Sequence, residues 1–259
     1  MAIGEFSIVE DYWKKDNGEV MDVFYFVDPK YESHAKAIFG KTPKMLTYFS
    51  KILGFEYPWN KYHQVVVEDF VSGAMENTTA TIHGDFLHQT KREIIDGGNE
   101  SIIAHELFHH WFGDLVTCES WSNLPLNESF ANYSQYLWDE YEYGKMEADM
   151  NAFQEMEGYF LSAQQAGYKD LIRFDFLDKE DMFDGHSYNK GGRILHMLRG
   201  YLGDDAFFDG LNLYLTTHAY QTAEAHDLRI AFEKVSGLDL NWFFNQWFYA
   251  KGHPVLEIK

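Results

Sequence analysis

Residues 102–113, Ile-Ile-Ala-His-Glu-Leu-Phe-His-His-Trp-Phe-Gly, constrain this chain more than any other stretch. They contain H-E-x-x-H, formed by His105, Glu106 and His109, in a setting that favours a helix. Gly97-Gly98 interrupts the chain before it, Asn99 can cap a helix start, and Gly113 can close the last turn. Residues four apart share one helix face, so His105 and His109 aim their imidazoles at a common spot. Two neutral imidazoles converging there are two ligands of a tetrahedral zinc, and Glu106 projects beside them as a candidate base. The alternative is an amphipathic core helix on which two of the chain's 12 histidines recur by accident.

A catalytic zinc needs a third protein ligand and one open position. Eighteen residues separate His109 from Glu128, within Leu124-Pro125-Leu126-Asn127-Glu128-Ser129-Phe130. Pro125 and Asn127 read as a helix start, which puts Glu128 in the first turn of a second helix. Phe130, Tyr133, Leu137 and Tyr141 supply its apolar stripe and Gly144 its end. Two antiparallel helices joined by a loop can bring that carboxylate to the imidazoles. The competing role for Glu128 is a favourable charge at a helix N-terminus.

With these residues in place the chain resembles a family. His105, Glu106, His109 and Glu128, the last in an Asn-Glu-x-Phe-Ala context, are similar to the gluzincin aminopeptidases, the family of aminopeptidase N and leukotriene hydrolase. Gly73-Ala74-Met75-Glu76-Asn77 matches the family's G-A-M-E-N element, and Tyr188-Asn189-Lys190-Gly191 resembles its Y-x-K-G segment. Trp247, Gly252, His253 and Pro254 look like the end of its catalytic domain. The signatures occur in the family's order and span nearly the whole chain.

The resemblance implies a thermolysin-like α+β metallopeptidase domain over residues 1–259, with a β-rich lobe at 1–98 and a mainly helical lobe at 99–259. It also implies that the family's flanking domains lie outside this chain, together with any targeting signal. The activity implied is zinc-dependent hydrolysis of the N-terminal peptide bond, with one Zn2+ per chain held by His105, His109 and Glu128. Glu106 is the expected general base. Tyr188 is one of 17 tyrosines and alone would be assigned to packing; its match to the family's transition-state tyrosine makes it the expected oxyanion donor. Gly73, Ala74, Met75 and Asn77 would line the cleft and align an extended peptide, while Glu76 would pair with the substrate's α-amine. Peptides with a free N-terminal amine are the expected partners.

Three positions depart from the family pattern. Gln135 stands seven residues after Glu128, where many members carry an acid that supports the metal's ligands. Ser72, before Gly73, is small where some members are bulky, which suggests a roomy first substrate pocket. A second amine-binding acid, supplied in some members by the N-terminal domain, lies outside the chain. Trp111, Phe112 and Trp121 read as core packing, His110 as a bystander, and Asp114 as an acceptor for a ligand histidine. Lys190 reads as structural or as a surface charge.

Other readings stay open: an endopeptidase or epoxide hydrolase of the same fold, or a non-catalytic scaffold. Glu76 opposes the endopeptidase, because a pinned amine blocks internal cleavage; the complete set of ligands and base opposes the scaffold.

Composition narrows the field further. Hydrophobic residues make up 46% and aromatics 18% of 259 residues, enough for a sizeable core. A net charge of −20 argues against nucleic acid and anionic membrane as partners. The single cysteine excludes an internal disulfide and a cysteine-based metal site. No apolar run reaches the length of a membrane span, and the first six residues lack the pattern of a signal peptide. Compartment and oligomeric state stay undetermined.

Along the chain, residues 5–12 and 19–27 alternate as half-buried strands about a turn at 15–18. Residues 31–53 read as helix, broken near Gly40 and Pro43, and residues 62–70 and 77–83 as strand. From 102 onward the pattern is helical, with helices at 146–166, 190–202, 204–217, 223–235 and 239–249.

Overall fold

The computed structural model describes residues 2–255 and 257, which fall into two compact units, the first ending at Asp114 and the second beginning at Leu115. The first unit is built on strands β1 (Ser7–Val9), β2 (Tyr12–Lys14), β3 (Val20–Asp22) and β4 (Tyr25–Val27). Helices α1 (Ala35–Phe39) and α2 (Thr42–Leu53) follow, then strands β5 (His63–Val67), β6 (Ala74–Met75) and β7 (Ala80–Gly84). The unit ends with α3 (Glu93–Asp96) and α4 (Glu100–Phe108).

Its main sheet has the order β1-β4-β5-β7-β6, with β4, β5 and β7 parallel and β1 and β6 antiparallel at the edges. The alternating stretches 5–12 and 19–27 do form strands about the turn at 15–18, but each breaks into two short pieces. The pieces next to the turn, β2 and β3, pair as a hairpin, while β1 and β4 join the larger sheet. The break is fastened at Asp11, whose carbonyl accepts the Val23 amide and whose carboxylate accepts the Tyr25 hydroxyl at 2.7 Å.

The helical expectation for 31–53 holds, with the break at Gly40; Pro43 occupies the first turn of α2, where its missing N–H costs nothing. Thr42, Met45, Leu46, Phe49 and Leu53 of α2 are buried. A buried polar chain links α2 to the sheet. The Gln64 amide donates to Thr42 Oγ1 at 2.9 Å, and its Oε1 lies 3.1 Å from His83 Nε2. Helix α4 is buried at every residue from Ile103 to Phe108, not along one stripe.

The second unit opens with strand β8 (Val116–Cys118) and continues through α5 (Pro125–Glu142), α6 (Lys145–Ala166), α7 (Gly191–Leu202) and α8 (Asp204–His218). Strand β9 (Gln221–Ala223), α9 (Ala225–Ser236) and α10 (Asn241–Trp247) complete it. Helix α5 packs on α6 and α7, and α8 packs on α9. The fold is α+β, with strands concentrated before residue 114 and helices after it.

Several local expectations need correction. Strands β8 and β9 form a small parallel ladder inside the region read as purely helical. Tyr141 is 50% exposed, so the apolar stripe of α5 stops at Leu137. Asn99 precedes α4 without a side-chain capping bond; its amide instead donates to Gln89 Oε1 at 2.9 Å. Helix α4 ends at Phe108, short of Gly113, and turns bonded through His110 and Trp111 amides follow. Among the described residues no helix is long and apolar enough to cross a membrane.

Candidate metal centre

His105 and His109 are one turn apart at the C-terminal end of α4, and the His109 amide still donates to the His105 carbonyl. Their ring centroids are 4.9 Å apart at 75°. Glu128 lies in the first turn of α5, which Pro125 opens. His105, His109 and Glu128 each offer one ligand atom, and these atoms lie within 4.8 Å of one another. All three residues are buried, with 8%, 1% and 5% of their surface exposed. Two imidazoles and a carboxylate are the donor set of a catalytic zinc.

The tautomer of His109 supports that fit. Its Nδ1 lies 3.1 Å from the Phe112 carbonyl oxygen, which can only accept. Nδ1 therefore carries the proton, and the Nε2 lone pair is left to face a cation. Glu76 Oε1 is 4.0 Å from the same Nδ1, which puts the acid of the Gly73–Asn77 element beside a candidate ligand histidine. Glu106, between the two histidines, is 7% exposed.

Ala74 and Met75 form β6 itself, paired antiparallel with β7, so the Gly73–Asn77 element ends on a sheet edge and does not simply follow a strand. Past it, Thr79 adopts φ +69, a conformation disfavoured for a β-branched residue. Two bonds hold it there: its amide donates to His110 Nε2 at 2.9 Å, and its carbonyl accepts from the His63 amide. His110 donates in turn from Nδ1 to the Glu106 carbonyl at 3.1 Å. Burial pushes the His110 imidazole down to about 3, so it stays neutral and keeps an acceptor for Thr79. The supposed bystander thus ties the turn after Glu76 to the helix of Glu106. Sequence reasoning missed it because an acceptor for a backbone amide leaves no mark in residue spacing.

Asp114, expected beside a ligand histidine, has Oδ2 3.7 Å from His110 Nε2. Burial, and then the Glu76 carboxylate, push its carboxyl up to about 7. Trp111 and Phe112 are fully buried as expected, whereas Trp121 is 44% exposed under the Lys179 ammonium. Gln135 is half-buried on α5.

Tyr188 lies half-buried in a π-helical turn, His186–Lys190, that runs into α7. The Lys190 amide reaches back five residues to the Gly185 carbonyl at 2.9 Å, which widens the turn. This turn sits on α5, where Ser129 Oγ, next to Glu128, donates to the Ser187 carbonyl at 2.7 Å. Lys190 is 4% exposed, so it is no surface charge; burial lowers its ammonium to about 8.

A helix carrying H-E-x-x-H and a carboxylate separated from it by eighteen residues define the class as gluzincin-type metallopeptidase. The model of the peptidase family M1 domain matches residues 38–247, and the chain belongs to that family. It is 34% identical over 268 residues to aminopeptidase N of Streptomyces lividans, covering 99% of this chain and 31% of that protein. It is 30% identical over 269 residues to aminopeptidase M1 of Arabidopsis thaliana, covering 100% of this chain and 30% of the relative. The chain thus spans about a third of the length of these relatives. The crystal structure of Legionella pneumophila aminopeptidase A in complex with aspartic acid shares the fold. Its TM-score is 0.81 at 20% identity, over 95% of this chain and 28% of that one.

Proposed function

We propose that residues 1–259 act as the single catalytic domain of a zinc aminopeptidase that releases the N-terminal residue of peptides. The observation that carries this reading is the buried His105, His109 and Glu128 trio, with Glu76 4.0 Å from His109. A metal donor set with an acid beside it suits a substrate whose free α-amine lies next to its scissile bond. Bound at the trio, a zinc ion supplies a Lewis acid for the carbonyl and acidifies water toward a pKa of about 7.

The chain's own groups do the rest. Glu106 takes a proton from the attacking water and returns it to the leaving amine. Tyr188 donates its phenolic O–H to the oxyanion as charge develops. Glu76 pairs with the ammonium of the first residue, while the edge strand β6 offers backbone groups to an extended peptide. Peptides with a free amine are therefore the substrates. The names of the relatives support this reading.

The test combines zinc stoichiometry with hydrolysis of a free-amine aminoacyl substrate and its N-acetylated twin on one sample. One zinc per chain and cleavage of only the free-amine form is the expected result. Equal cleavage of both forms removes Glu76 from its role and favours an endopeptidase. Failure to take up zinc overturns the proposal at its first step.

A further inference from the structure

We propose that Glu155 is a positioning residue: it clamps the turn bearing Tyr188 onto α5 and so sets kcat without touching substrate or metal. This rests on the reading of Tyr188 as the oxyanion donor.

The geometry is a bridge from α6. Glu155 Oε2 accepts two side-chain amides, from Asn132 Nδ2 at 2.9 Å and from Asn189 Nδ2 at 2.5 Å. Asn132 lies on α5 one turn beyond Glu128, and Asn189 directly follows Tyr188. One carboxylate oxygen thus joins the metal-ligand helix to the π-helical turn, and both bonds are charge-assisted. On the other side of the phenol, Ser129 donates to the Ser187 carbonyl. The residues flanking Tyr188 on each side are therefore tied to α5 close to Glu128.

Backbone contact makes the same join. A Cβ on Gly191 would lie 1.8 Å from Ser129 Oγ, and one on Gly192 would lie 2.9 Å from Asn132 Nδ2. Only glycine lets the start of α7 approach α5 this closely. A π-helical turn has poorer intrinsic bonding than an α-helix and needs such external ties to hold one shape. Glu155 is the tie that can be cut most cleanly. It is half-buried on α6, so its loss leaves two amides able to hydrate, not a core cavity. A shift of the turn by about 1 Å is enough to lower the rate by one to two orders of magnitude.

The experiment places Glu155→Ala and Glu155→Gln in the native and Tyr188→Phe backgrounds. It measures kcat, KM and zinc content, together with the fluorine NMR signal of 3-fluorotyrosine incorporated at position 188. Glu155→Ala is expected to lower kcat about ten- to a hundredfold. KM should stay within about twofold and zinc content should be unchanged, since only transition-state stabilisation is lost. The fluorine signal should shift or broaden. Glu155→Gln, whose amide oxygen still accepts both bonds, should restore most of kcat. In the Tyr188→Phe background Glu155→Ala should add no further loss, because no phenol remains to be positioned. An equal loss in both backgrounds, or an effect on KM alone, overturns the proposal. A normal kcat in Tyr188→Phe by itself defeats the reading of Tyr188, and the clamp's effect on rate falls with it. In a preparation without turnover the fluorine signal decides, an unchanged signal in Glu155→Ala overturning the clamp.

Discussion

His109 is not free to choose its tautomer. The Phe112 carbonyl, 3.1 Å from Nδ1, holds a proton on that nitrogen, so the neutral ring carries its lone pair on Nε2. That one bond comes from the turn at the end of α4, because only a chain that folds back there puts residue 112's carbonyl over residue 109's ring. The neighbouring Glu106 is 7% exposed within the buried run of α4. Replacing it by glutamine keeps shape and removes the base. Glu106→Gln should lower kcat by about 10²–10⁴ while metal analysis still finds one zinc per chain. Retained turnover removes Glu106 from the base role; lost zinc makes it a support of the site instead. The two candidate histidine ligands were legible because helical spacing converts directly into a shared face. Residue 110 was not, since its partners are the amide of Thr79 and the carbonyl of Glu106.

Helices were readable where Gly or Pro marks an end. Pro125 opens α5, and Gly203 lies between α7 and α8. The π-helical turn was unreadable because its single extra residue leaves no periodic trace over five positions. Strands of two or three residues, such as β6 and β8, are too short for alternation to register. The central strands carry a testable cost of burial. His83 on β7 is fully buried, and burial holds its imidazole down at about 3, against an ordinary value near 6.5. The folded form refuses a proton that the unfolded chain accepts. Stability is therefore intact above about pH 6.5 and falls as the pH drops towards 3. The slope from this one group is about 1.4 kcal/mol per pH unit. Urea unfolding between pH 6.5 and 5 should show that slope reduced in His83→Gln. An unchanged pH dependence would mean that His83 is protonated in the fold or that other groups dominate.

At the scale of the whole chain, composition spoke for a sizeable core, and three separated sequence signatures carried the fold class. The donor trio draws on two helices, α4 and α5, so a metal that binds the folded form and not the unfolded one stabilises it by mass action. Zinc at about a hundred times its dissociation constant should add about 2.7 kcal/mol. Thermal melting with and without a chelator reads this as a rise on zinc addition. Glu128→Ala should lose most of that rise; a zinc-independent melting point would argue against the site.

The parallel pairing of β8 with β9 bears on the order in which the protein can assemble as it is made. Val116–Cys118 must wait for Gln221–Ala223, and Asn123 caps an amide 102 residues further on at Ala225. Closing so long a loop precedes any return from the contacts it enables, so this ladder belongs among the slow steps of folding. On the ribosome, α5 and its carboxylate emerge long before the strand that completes their unit. Until then β8 presents an unpaired edge, the kind of surface that chaperones shield.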